Sequence, residues 1–145
     1  MQSNLRFQPS ATPMKISEHL TKANAFERSA AKLDPAQDTA LYAVMLLRAA
    51  TNRVNAALHV LGTTTEGAAT SVKLGDLNHT YKPKLNVPVP DELRAAFRNL
   101  ALIEDLRTDY VRGNKSADTA ILNAWRAAYA GIRRDTDPIL IRGQP

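Results

Sequence analysis

Residues 35–62 read PAQDTALYAVMLLRAATNRVNAALHVLG, and this stretch decides the fold. Leu47, Val54, Leu58 and Leu61 recur at the helical period, while Val44, Met45 and Val60 add apolar surface on other faces. Asp34 precedes Pro35, whose missing N–H is no loss in a first helical turn, and Gly62 supplies a stop. The pattern predicts a helix from Pro35 to Leu61, apolar around most of its circumference. Such a helix sits at the centre of a bundle.

Working outward, Ser17 to Lys32 predicts a first helix, with Ser17 as N-cap, Glu18 in the first turn, and Leu20, Ala23, Phe26 and Ala30 inward. Pro90-Asp91-Glu92 opens a third helix to about Arg112, where Gly113 and Asn114 stop it; Leu93, Phe97, Leu100, Ile103, Leu106 and Tyr110 form its stripe. A fourth starts near Ser116 or Asp118 and runs to about Arg134, with Ile121, Trp125, Ala128 and Ile132 inward. Between the second and third, residues 63–90 carry Gly67, Gly75, Pro83, Pro88 and Pro90 and read as an irregular loop. Residues 1–14, with Pro9 and Pro13, read as an extended arm. Pro138 reads as the start of a tail, residues 138–145, whose Ile139, Leu140 and Ile141 need a surface to pack on. The expectation is all-α: one single-domain bundle of four to five helices over residues 1–145, with extended N- and C-terminal segments.

Bulk composition agrees. A chain of 145 residues buries roughly 68–70% of the surface its unfolded state exposes, enough for a core without cross-links. It is 44% hydrophobic but only 6% aromatic, so Leu, Val, Ile and Ala must do the packing. There is no Cys, which removes disulfides, thiolate metal sites and Cys nucleophiles. No segment approaches the roughly 18 consecutive apolar residues of a membrane span, and no signal-peptide pattern opens the chain. The expected setting is cytoplasmic, with no membrane partner. The net charge of +5 and pI near 9.7 permit an anionic partner such as RNA, although the cations are dispersed.

The clearest polar feature is Arg48, Asn52, Asn55 and His59 on the second helix. Their spacings of four, three and four put them on one face. That face either lines a groove, where Arg and His hold phosphate and Asn reads a base edge or a water, or is the helix's solvent-facing stripe. Arg94, Arg98, Arg107 and Arg112 make the third helix basic, with Asp105 and Asp109 as intrahelical partners. Glu104 lies on its mostly apolar face, either buried against an Arg or at the rim. His79 and Tyr81 make the irregular loop the candidate loop site, a lid over a small-ligand pocket. His19, His59 and His79 lack metal-ligand spacing, and no phosphate-cradling glycine loop or nucleophile elbow occurs. No metal and no cofactor are therefore expected.

The order of elements, an Ala-rich helix pair, an irregular stretch, a helix ending Arg107-Thr-Asp-Tyr-Val-Arg112-Gly113-Asn114, then a Trp-bearing helix, loosely resembles the HEPN-type helical domains. The resemblance spans residues 17–134 in topology. It implies a bundle of about four to five helices, often dimeric, several of them metal-independent ribonucleases of toxin–antitoxin and defence systems. Arg107 matches the family Arg and Gly113 the Gly that follows its motif, but Arg112 stands where the family has His. Arg53 and His59 also satisfy the bare Arg–His spacing, yet six helical residues rotate their side chains about 120° apart.

Two functional expectations follow. The first is a non-enzymatic helical bundle acting through protein–protein contact, as a homodimer or with another protein, in which Leu5, Phe7, Ile139, Leu140 and Ile141 find partners. The second is a HEPN-like protein that binds or cleaves RNA, with Arg48, Asn52, Asn55, His59, Arg107 and Arg112 meeting in one basic cleft.

Overall fold

The computed structural model describes residues 14–64, 88–107 (backbone alone at Leu106 and Arg107) and 118–143. It is all-helical, with no strand among the described residues. The elements are α1 (Ile16–Lys32), α2 (Thr39–Val60), a 3-10 turn (Asp91–Leu93), α3 (Arg94–Arg107) and α4 (Thr119–Arg142). None of these helices is long and apolar enough to cross a membrane.

The helix boundaries correct the sequence reading in three places. At the start of α1, Glu18 reaches back to accept from the backbone N–H of Lys15 at 2.8 Å, so the cap position is Lys15 and not Ser17. The second helix begins at Thr39, four residues later than Pro35. Asp34 and Asp38 divert the chain: Asp34 Oδ1 accepts from Ala36 N at 3.0 Å and Asp38 Oδ2 from Asp34 N at 3.1 Å. These side-chain bonds make a separate turn of residues 34–38. The third correction is the largest. Pro138 opens no tail; α4 continues through it to Arg142. A proline inside a helix costs roughly 3 kcal/mol. Burying Ile139 and Leu140 offsets this, since a fully buried aliphatic side chain contributes about 1.5–3 kcal/mol.

Other boundaries are where expected. Gly62 adopts the left-handed conformation (φ 76°), with Thr63 N donating to Leu58 O and Gly62 N to His59 O, which closes α2. Asp118 caps α4 by accepting from Ile121 N at 2.9 Å. The expected stop of the third helix at Arg112 lies outside the described residues, as do the arm's first thirteen residues and nearly all of the 63–90 loop.

α2 is the centre: every residue from Ala49 to His59 is buried. It packs against α1, α3 and α4, and α3 packs against α4. Along α2 and α4, Tyr42 meets Trp125, Arg53 meets Thr136 and Asp137, and Val60 lies against Gly143, so the two helices run in the same direction. α1 runs opposite to α2, since His19 meets Asn52 while Phe26 meets Arg48. α3 runs opposite to α4, with Asn99 at Gly131 and Glu92 at Arg142. The core joins Leu46, Val54 and Leu58 of α2 to Leu93, Leu100, Ile103, Trp125, Ile132 and Ile139.

Candidate functional site

The polar stripe of α2 does not face solvent. Asn52, Asn55 and His59 are buried; Arg48 is half-buried, its guanidinium 5.9 Å from the centroid of the Phe26 ring. The face is turned toward α1. Asn52 Nδ2 donates to the Arg48 carbonyl at 2.9 Å, which orients the amide and leaves Oδ1 as acceptor. That oxygen lies 2.8 Å from His19 Nδ1, so His19 carries its proton on Nδ1. His59 Nδ1 lies 2.7 Å from Thr64 Oγ1, just beyond the end of α2. The rings of His19 and His59 are 5.3 Å apart between centroids and tilted by 38°. The result is a buried polar seam between two antiparallel helices: His19, Asn52, His59 and Thr64, with Asn55 beside it.

A second polar cluster fills the space between α1 and α4, over α2. Arg53, almost fully buried, donates from Nε to Thr136 Oγ1 at 3.1 Å and pairs with Asp137. The Thr136 hydroxyl in turn donates to Ile132 O at 2.7 Å. Arg133 lies 3.9 Å from the other Asp137 oxygen and bonds Glu27 of α1 at 2.8 Å. Glu27 also accepts from the Tyr129 hydroxyl at 2.6 Å. Charges alternate along this chain, so each buried or half-buried ion has an opposite neighbour. Burial, then the hydrogen bond to Glu27 and its negative charge, push the Tyr129 phenol well above its ordinary value.

These contacts separate the residues that the sequence grouped. Asn52 and His59 do share a face with Arg48, as their spacing requires. Arg53 and His59 do not converge: Arg53 reaches α4, while His59 is held near α1 by Thr64 and His19. Glu104 is buried and not at the rim. Arg107 is the last described residue of α3, and only its backbone is among the described atoms; His79, Tyr81 and Arg112 lie outside the described residues altogether. Among the described residues, no group of three or more His, Asp or Glu is placed to hold a metal ion.

Sequence reading missed His19, Glu27, Tyr129 and Thr136. For His19 a signal existed: His19, Ala23, Phe26 and Ala30 repeat the four-three-four spacing of Arg48, Asn52, Asn55 and His59. Two stripes of equal spacing on adjacent helices are candidates to face one another. Chemically, the seam offers hydrogen-bonding groups and two imidazoles, but it is closed to solvent. Compared with known proteins, the chain matches no family model, no curated protein and no solved structure.

Proposed function

We propose that this protein is a helical interaction module that pairs with a second copy of itself and catalyses no reaction. One observation carries the reading: among the described residues, the polar side chains best suited to acid–base or anion chemistry, His19, His59 and Arg53, are turned inward and bonded within the bundle. His19 meets Asn52, His59 meets Thr64, and Arg53 meets Thr136 and Asp137. Their role is to register helices. Outward, the large apolar side chains of Leu41, Leu102 and Ile141 stand exposed, at 49%, 39% and 71%. Burying any of these side chains against a second copy would remove apolar area from water. Light scattering on the full chain at micromolar concentration tests this. The expected mass is twice that of one chain, 15.9 kDa. A single-chain mass throughout the range rules the homodimer out.

A second reading is a HEPN-like protein directed at RNA. It is favoured by the four-helix architecture and by Arg107 lying on α3, the helix that the resemblance matches to the family's Arg-bearing one. On this reading single-stranded RNA binds in a salt-dependent way, and Arg107→Ala weakens binding. Affinity unchanged by that substitution removes Arg107 from the reading; no binding even at low salt removes the reading itself.

A further inference from the structure

We propose that α1 is exchanged between two copies of the chain, so that α1 of one copy docks on α2 of its partner. The inference rests on the homodimer reading above and adds the surface and the segment that fills it.

α1 is the helix held with least apolar bulk. Its buried residues are His19, Ala23 and Ala30, whereas Ile16, Leu20, Phe26 and Leu33 are only half-buried. By contrast α4 buries Leu122, Trp125, Tyr129, Ile132, Ile139 and Leu140. The helix packs chiefly on α2 and is tied to α4 through Glu27. Beside these half-buried apolar side chains, α1 is held by polar contacts: the His19–Asn52 bond, the His19–His59 ring contact and the bonds of Glu27 to Tyr129 and Arg133. Polar groups that separate regain water, so opening this interface forfeits less than opening an apolar one of equal area. A second copy offers the same seam, with the same partners in the same places, and only the connection changes.

The connection suits an exchange. Residues 33–38 join α1 to α2, with Leu33 extended and Pro35 in the turn. Pro35 lacks an N–H and disfavours helix at Asp34, so an opened turn extends and does not fuse α1 with α2. Six extended residues span roughly 20 Å, enough to carry α1 to a neighbour. Leu41, in the first turn of α2 beside this hinge, is 49% exposed. Exchange brings two hinges together and can cover the exposed half of Leu41.

The pair Glu27–Arg133 supplies the test. In a closed chain, Glu27→Arg sets Arg against Arg133, and Arg133→Glu sets Glu against Glu27, whatever other chains are present. In an exchanged dimer of the two variants, one α1 restores the native pair and the other makes the reversed pair. The two proteins are melted separately, then unfolded together, refolded and melted as a mixture. The expected results are a melting temperature above those of both single variants and a heterodimer fraction above the statistical half by native mass spectrometry. A mixture that melts as the sum of its parts, in a dimeric protein, overturns the exchange while leaving the homodimer intact. A monomeric wild type overturns the homodimer reading as well. Should either variant fail to fold, a flexible Gly-Ser insertion between Gln37 and Asp38 decides instead. The longer hinge is expected to let α1 fold back and halve the mass at unchanged helix content; a dimer that survives it overturns the proposal.

Discussion

Asn52 sits where α1 and α2 are registered: its amide donates backward to Arg48 O and accepts from His19, so one side chain fixes the rotation of α2 and the position of α1. Tyr129 does the same between α4 and α1, donating to Glu27, and its environment makes a pH test available. Its phenol is raised above the unfolded value of about 10 because burial and Glu27 both disfavour the phenolate. A group with a raised native pKa contributes stability that is complete below the unfolded pKa and is lost as pH climbs toward the folded one. Urea-unfolding stability is therefore expected to fall above about pH 10. In Tyr129→Phe that component should be missing, at the cost of the bond to Glu27 at every pH. Equal alkaline slopes in both proteins would contradict the assignment. At this scale the sequence was half legible. Spacing showed that Arg48, Asn52, Asn55 and His59 share a face, because helical period is a local property. It did not show that α1 covers that face, since the partner is set by packing between segments far apart in the chain.

Helix α4 shows the same limit at the level of an element. Its apolar positions Ile121, Trp125, Ala128 and Ile132 were readable, and Trp125, Ala128 and Ile132 are buried. Its end was not, because a proline signal is local and the burial that overrides it is not. Pro138 is exposed, while the next two residues fill the core beside α2 and Arg142 bonds Glu92 at 2.8 Å. The helix is thus held past its proline by side chains on either side of it. Pro138→Ala restores a backbone donor to the turn and should stabilise the protein by about 1–3 kcal/mol in urea unfolding. Ile139→Ala should do the reverse, by about 2–5 kcal/mol, because it empties a fully buried site. If both substitutions were neutral, residues 138–142 would not be a working part of α4. The start of α2 has the matching explanation. Pro35 was a sound helix opener by residue type, but Asp34 and Asp38 bind the backbone of the turn and delay the helix to Thr39.

Across the whole molecule, stability should be graded around α2. The sequence showed that this helix is central, since no other is apolar on so many sides, and its enclosure by α1, α3 and α4 follows from that. What composition did not reveal is that the three contacts differ in kind. Those with α3 and α4 rest on fully buried Leu, Ile and Trp side chains, whereas α1 fully buries only Ala23, Ala30 and His19, adds the half-buried Ile16, Leu20, Phe26 and Leu33, and is tied down by a chain of polar bonds. Local opening costs least where few apolar contacts are lost. Native-state hydrogen exchange is therefore expected to divide the helices. Amides of α1 should exchange through an opening that leaves α2 and α4 protected, and Glu27→Gln should lower α1 protection several-fold without changing that of Ala49 to Leu58. Core amides of α2 should exchange only by global unfolding, with free energies equal to those from denaturant. If α1 instead exchanged together with α2 at the global value, its polar seam would be as tight as the apolar core. The division of the bundle into a three-helix body and a separable α1 would then fail.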